Sequence, residues 1–315
     1  MIKGEAIAIN ERHSADTVDT QAAAVDSLIL LGGVLRSTRF HSSIGRSVLD
    51  LPVTQGMSIL QLWADHVAPL ARALGNPRLS VRLLLNFAAP RPRSAWEAGS
   101  VPLHIEEDPS EFRGTGGILR DLAAGYDDDS HLLVASAAQV LLTPAQNLAA
   151  ALLRSEADVA LVAHHDGTPG SMMLVRCGCM HAIPRLGFVD MKEQALPLIA
   201  RESSVKVLLQ ERPTSLPLLT FTAYLDAVRQ YHHRQSDSPR QSVFDEDWRP
   251  CFAIIEDGAM VQRGARVHNS VVLRGGVVGK DAIVARSVVC PGGIVAAGKI
   301  AVDQVIAPAK GQVSR

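Results

Sequence analysis

The chain has 315 residues, 47% of them hydrophobic but only 4% aromatic, and its 31 Lys and Arg against 32 Asp and Glu leave a formal net charge of −1. That length accommodates two domains and a sizeable core. The near-neutral charge argues against nucleic acid or an anionic membrane as partner. Four cysteines, at 177, 179, 251 and 290, are too few for a disulfide framework in a chain this long. Reduced thiols and a cytoplasmic location are therefore expected.

In chain order, residues 1–26 are polar and Ala-rich and lack a signal-peptide core. They are expected to form an edge strand, an arm or a mobile extension. Ser27–Leu31 reads as a buried strand. Leu60, Trp63, Val67, Leu70 and Leu74 recur at helical spacing, so a helix is expected over Met57–Leu74. Val81–Phe87, His131–Ala135 and Asp158–Ala163 read as further strands. Thr143-Pro144 reads as the cap and first position of a helix reaching about Glu156. The longest apolar run, Leu132–Leu142, is interrupted by Ser136 and Gln139 and is too short to span a bilayer. Helices over Asp190–Glu202 and Thr222–His232 flank a strand at Val205–Gln210. This alternation predicts an α/β domain with a mostly parallel sheet. His233–Pro250, rich in Ser, Asp, Gln, Arg and Pro, reads as a linker.

The tail has its own period. Val261, Val267 and Leu273 are six residues apart, and Ala265, Val271 and Val277 follow four behind; after a one-residue slip Val278, Val284 and Cys290 continue, with Ala282, Val288 and Ile294. Six fits neither a helix nor an ordinary strand. It suits a triangular coil with one inward aliphatic per face. Gly258, Gly264, Gly275, Gly276, Gly279, Gly292, Gly293 and Gly298 stand where corners would need positive φ. The pattern resembles the hexapeptide-repeat left-handed parallel β-helix; Val/Gly-rich antiparallel hairpins are the alternative. The expectation is parallel coils from about Phe252 to Ile306, with Val261, Val267, Val284 and Val288 inward.

Two glycine-bearing segments precede this tail. In Leu28–Phe40 an apolar strand leads into Gly32-Gly33 and then Thr38-Arg39, and Val48-Leu49-Asp50-Leu51-Pro52-Val53 follows. This resembles the signature of the sugar-phosphate nucleotidyltransferases. Arg113-Gly114-Thr115-Gly116-Gly117-Ile118-Leu119 resembles that family's Gly-Thr-Ala-Gly-Ala-Leu loop. The resemblance runs from Leu28 to about Ile306. It implies a Rossmann-like nucleotidyltransferase domain over 27–232, the linker at 233–250 and a left-handed β-helix over 251–315. The implied reaction joins a sugar-1-phosphate to a nucleoside triphosphate and releases pyrophosphate. Gly32, Gly33 and Thr38 would cradle phosphates. Arg39 and Arg36 would stabilise the leaving pyrophosphate, with Arg46 in place of the signature Lys. Gly114, Thr115, Gly116 and Gly117 would lie against the base and ribose, and Asp190, Lys192 and Glu193 on the sugar-phosphate side. The plain alternatives are a tight turn at Gly32-Gly33, solvated arginines, a helix capped by Thr115, and a helix start at Asp190.

The family also implies Mg²⁺, held by two carboxylates. Ala135-Ser136-Ala137-Ala138-Gln139 and Thr214–Thr220, the corresponding stretches, contain none, so no metal site is expected from them. Two readings stay open: a working sugar-1-phosphate nucleotidyltransferase, or a degenerate relative that binds a nucleotide or nucleotide sugar without turnover. The flat aliphatic faces of a short β-helix further suggest a homo-oligomer formed through the tail.

Overall fold

A computed structural model describes residues 25–32, 39–87, 89–108, 113–165, 168–235 and 252–308. Its α-helices are Arg39–Ile44 (α1), Ile59–Leu74 (α2), Gly114–Ala123 (α3), Ala145–Arg154 (α4), Leu196–Ile199 (α5) and Phe221–Gln235 (α6). Two compact units emerge. The first draws its described residues from 1–33, 63–89 and 96–215, the second from 34–62, 90–95 and 216–315. The described residues of 39–62, 90–95 and 216–235 group with the tail. Residues 236–250 and 1–24 lie outside the described residues.

The first unit is built on a seven-stranded sheet. Its strands are β1 (Val25–Leu31), β2 (Ser80–Leu85), β3 (Leu103–Glu107), β4 (His131–Ser136), β5 (Val159–His164), β6 (Pro169–Arg176) and β7 (Val205–Gln210). The order across the sheet is β7-β5-β6-β4-β1-β2-β3. All neighbours are parallel except β6, which is antiparallel to both β4 and β5. The sheet is thus mixed and mostly parallel, as expected. Leu28, Ile29 and Leu30 of β1 are all fully buried, the signature of a strand covered on both faces. In register, Leu30 lies between Leu83 of β2 and Ala135 of β4.

Two strands of this sheet escape the sequence reading, β3 and β6. In β6 the run Pro169-Gly170-Ser171-Met172-Met173 shows no alternation. It is placed by its partners: a Cβ on Gly170 would meet Val162 Cγ1 at 2.5 Å. Two helix starts also need correction. Pro144, not Thr143, occupies the cap position of α4, and it makes no side-chain cap bond; the Thr143 N–H donates instead to the Thr214 carbonyl at 3.1 Å. The helix expected over Asp190–Glu202 is a π-helical turn, Met191–Ala195, continued by the short α5.

Two histidines of the first unit are held below their ordinary pKa. For His66 the cause is burial, opposed by Asp65; for His131 it is burial and then the charge of Arg176. A depressed folded-state pKa means that the unfolded chain binds the proton more readily. Stability is then full above the ordinary value of 6.5 and is lost as pH falls through it towards the folded values. The melting temperature should drop between about pH 7.5 and about pH 5.5, and drop less in a His66→Gln/His131→Gln variant. Equal slopes for the two proteins would contradict the assignment.

In the second unit the tail winds through short strands on three faces. β8 (Ala253–Ile255), β9 (Met260–Val261) and β10 (Arg266–His268) make one circuit. β11 (Ser270–Val272), β12 (Val277–Val278) and β13 (Ile283–Ala285) make the next. β14 (Val288–Val289), β15 (Ile294–Val295) and β16 (Ile300–Val302) make a third, and β17 (Val305–Ile306) opens a fourth. The stacks are β8-β11-β14-β17, β9-β12-β15 and β10-β13-β16. Every pairing in them is parallel. This arrangement is compatible with a β-helix and excludes the hairpin alternative. Partners such as Ile255 and Val272, Val261 and Val278, or Val267 and Val284 are 17 positions apart.

The inward column contains Ile255, Val261, Val267, Val272, Val278, Val284, Val289, Val295, Ala301 and Ile306. The one-residue slip therefore recurs in every circuit: the steps run six, six, five. This corrects the expected column. Val284, Val261 and Val267 belong to it, whereas Val288 does not. Its strand neighbour Val289 points inward, so Val288 projects from the opposite face, where it and Val271 are also fully buried. Three corner columns repeat at the same spacing: Gly258, Gly275, Gly292; Gly264, Asp281, Gly298; and Asn269, Arg286, Asp303. All nine have positive φ. Gly276, Gly279 and Gly293 do not. They are glycines because backbone from another circuit lies close; a Cβ on Gly279 would meet Ala297 N at 2.6 Å.

Candidate functional site

In the first unit the strand order reverses at β1, which has β2 on one side and β4 on the other. Open α/β sheets bind ligands at the carboxyl ends of the strands flanking such a point. Gly32 stands there, immediately after β1, with its N–H donating to Leu84 O at 2.8 Å. A Cβ would collide with Leu83 Cδ1 at 2.7 Å and Leu85 Cδ2 at 2.9 Å. Close approach to β2 is thus a sufficient reason for this glycine. Of the other residues expected around it, Gly33, Arg36, Thr38 and the side chain of Arg39 lie outside the described residues.

Gly114–Gly117 opens α3, which follows β3 and so starts at the carboxyl edge. Arg113 holds the cap position without a side-chain cap bond. Thr115 therefore lies in the first turn and does not cap the helix. The glycines face a specific neighbour. Gly114 has φ of +68°, and a Cβ on it would meet Val189 O at 2.5 Å and the Phe188 ring at 3.1 Å. The Gly116 N–H donates to Val189 O at 3.0 Å, and the Val189 N–H to Arg113 O at 2.8 Å. Arg113 fastens this contact. Its Nε and Nη2 donate to Asp121 at 2.9 and 3.0 Å, and its Nη1 to Gly187 O at 2.9 Å.

The structure thus brings together two of the segments singled out in the sequence, Gly114–Gly117 and the stretch ending in Asp190, Lys192 and Glu193. Asp190 caps the π-helical turn, its Oδ1 accepting from Glu193 N at 2.8 Å, while Lys192 and Glu193 are exposed. Phe188 is the residue that the sequence reading passed over. It rests against Gly114 with 55% of its surface exposed, an unusual state for a Phe. Only the fold shows which loop it adjoins.

The carboxyl end of β4 is tightly bonded. Ala137 N–H donates to Leu31 O at 2.9 Å, and Ala137 O accepts from Gln139 N and from Trp63 Nε1, both at 2.9 Å. The side chains present are Ser136, Ala137 and Ala138. They do not fit Mg²⁺, which takes charged oxygen ligands. Thr214 is likewise engaged, bonding His164 Nε2 through its N–H at 3.1 Å. His164 Nδ1 is 3.0 Å from Thr168 Oγ1, so both ring nitrogens are used in holding loops. Among the described residues no three His, Cys, Asp or Glu side chains gather as a metal site. Cys177 and Cys179 are core residues, and burial pushes the Cys177 thiol up to about 12. No described helix is long and apolar enough to cross a membrane.

Arg46, expected near the pyrophosphate, belongs to the second unit. Its Nη2 donates to Glu256 Oε1 at 2.7 Å. Glu256 Oε2 in turn accepts from Arg274 N at 2.7 Å.

No protein-family model matches the chain, and no curated protein does. Among solved structures, a Mycobacterium sp. strain JC1 homologue of Mycobacterium tuberculosis Rv0371c aligns with a TM-score of 0.44 and 14% identity, over 66% of this chain and 97% of that one. HddC from Yersinia pseudotuberculosis aligns with a TM-score of 0.42 and 12% identity, over 66% of this chain and 100% of that one.

Proposed function

We propose that the protein binds a nucleotide or nucleotide sugar at the carboxyl edge of its sheet, as a relative of the sugar-phosphate nucleotidyltransferases that has lost Mg²⁺-dependent transfer. The observation that carries this reading is the reversal of strand order at β1, the position at which open α/β sheets take ligands. Phe188 supports it, because an exposed ring beside the Gly114 loop offers a base a flat surface to stack on. The engaged backbone at Ala137 and the lack of carboxylates in Ser136–Ala138 support the loss of metal chemistry. In this reading the sheet is Rossmann-like and the strand stacks form a left-handed β-helix of the hexapeptide-repeat kind.

Calorimetry with nucleoside triphosphates and nucleotide sugars, each with and without Mg²⁺, tests the proposal. Saturable binding that is nearly independent of Mg²⁺ is expected. Phe188→Ala should weaken it roughly tenfold, the worth of one stacked base. Binding undiminished in that variant would move the base elsewhere. Pyrophosphate release at about 1 per second or faster, strictly dependent on Mg²⁺, would establish the enzyme reading instead.

A further inference from the structure

The second unit contains a cleft of about 650 Å³, a volume in the range of small-molecule sites. Its walls come from the segment Ile44–Gln61, from Arg93-Ser94, and from Ile254–Asp257 with Arg274 and Pro291. Formal charges there balance: Arg46, Arg93 and Arg274 face Asp50, Glu256 and Asp257. The hydrogen-bonding capacity does not balance, and that decides what the cleft can hold.

Most acceptors are already used. Asp50 is 8% exposed. Its Oδ1 accepts from Arg93 N, Ser94 N and Ser94 Oγ, each at 2.8 Å, and its Oδ2 from Arg93 N at 3.0 Å. Glu256 is divided between Arg46 and the Arg274 N–H. Gln61 Oε1 accepts from Ser58 N at 2.8 Å, closing a reciprocal cap at the start of α2. Gln55 Nε2 donates to Ile255 O at 2.7 Å, and its Oε1 accepts from Ile255 N at 3.4 Å.

The groups left over are mainly donors. The Arg93 guanidinium bonds no described residue. Arg274 spends only Nε, on Asp257 O at 3.0 Å, and Arg46 only Nη2. The amide nitrogen of Gln61 is also uncommitted. Guanidinium forks match phosphate oxygens bidentately. One charged acceptor remains, the exposed carboxylate of Asp257, and it suits a hydroxyl.

We propose that this cleft binds a hydroxylated phosphate monoester, specifically a sugar phosphate, with its phosphate on Arg93 and Arg274 and a hydroxyl on Asp257. The site is independent of the nucleotide reading above, since all its residues belong to the second unit.

Calorimetry on the full chain compares glucose 6-phosphate, inorganic phosphate and glucose. Glucose 6-phosphate should bind most tightly and glucose not at all. Arg93→Gln/Arg274→Gln should weaken glucose 6-phosphate by at least about tenfold, as expected for losing charge-assisted bonds. Both side chains are exposed, so the variant should fold; its circular dichroism and melting temperature check this. Asp257→Asn should weaken glucose 6-phosphate and leave inorganic phosphate unchanged. Phe188→Ala should leave the glucose 6-phosphate affinity unchanged, which separates this site from the nucleotide site. Absence of saturable binding at millimolar glucose 6-phosphate would overturn the proposal. So would undiminished binding in the double variant, or inorganic phosphate or glucose binding as tightly as glucose 6-phosphate.

Discussion

Trp63→Ala is expected to destabilise the first unit by about 3–5 kcal/mol, the usual cost of emptying a buried indole site. Trp63 is 2% exposed, and its Nε1–H donates to Ala137 O at 2.9 Å. The same carbonyl also accepts from Gln139 N. Removing the indole therefore leaves no orphaned acceptor, and most of the loss is the cavity. Trp63→Phe keeps much of the volume and should cost only about 1–2 kcal/mol, a hydrogen bond plus imperfect filling. Urea unfolding followed by far-ultraviolet circular dichroism reads both values. Similar costs for the two variants would mean that the hydrogen bond, and not the volume, is what Trp63 supplies. The consequence extends to the candidate site, because Ala137 lies at the carboxyl end of β4 beside Leu31 and Gly32. A variant that shifts Ala137 should lose ligand affinity together with stability.

Gly293→Ala is expected to dislodge the last strand of the tail. A methyl group there would overlap Ile306 O and lie 3.0 Å from Cys290 O and Ile306 C. All three are backbone atoms, so none can swing aside. Forced overpacking of this kind costs about 1–3 kcal/mol. It should also break the bond from Cys290 N to Ile306 O, now 2.8 Å. Hydrogen exchange should show the Cys290 amide losing protection while amides of the earlier circuits keep theirs. Gly298→Asn is the control. Nothing lies within 4 Å of a Cβ there, and Asp281 fills the equivalent corner at φ 57°. Its cost should stay within about 1 kcal/mol, the small penalty of a positive φ for a residue such as Asn. If Gly293→Ala is as mild as the control, the close packing of Gly293 on Ile306 is not real.

Much of this architecture is legible in the sequence. Buried strands such as Leu28–Leu31 are runs of aliphatics, and α2 displays Leu60, Trp63, Val67 and Leu70 on one side, because burial imposes composition and period directly. The coiled tail is legible for the same reason: each face must send one aliphatic side chain into a narrow column. The sequence shows one such slip, but not that a five-residue step recurs in every circuit. It falls at the corner built by Asn269, Arg286 and Asp303, which adopt positive φ without glycine. Arg286 is tied there to Asp303 by two bonds of 2.7 Å. Asn269 and Asp303 are residue types that tolerate positive φ, but Arg286 is not, so the recurrence of this corner shows only once successive circuits are stacked.

The candidate sites divide in the same way. The glycines at 32, 114, 116 and 117 are visible in the sequence, and at 32, 114 and 116 a neighbour comes close. What they approach is decided by tertiary structure: Leu83 and Leu85 for Gly32, Val189 and Phe188 for Gly114. Those partners are tens of residues away, and their juxtaposition depends on strand order, which local periodicity does not encode. The donor surplus around Arg93 and Arg274 lies further still from what the sequence displays. Charges can be counted along the chain, where they cancel. Which lone pairs are already taken depends on hydrogen bonds that exist only once Asp50, Glu256 and Gln61 have found their partners in the fold.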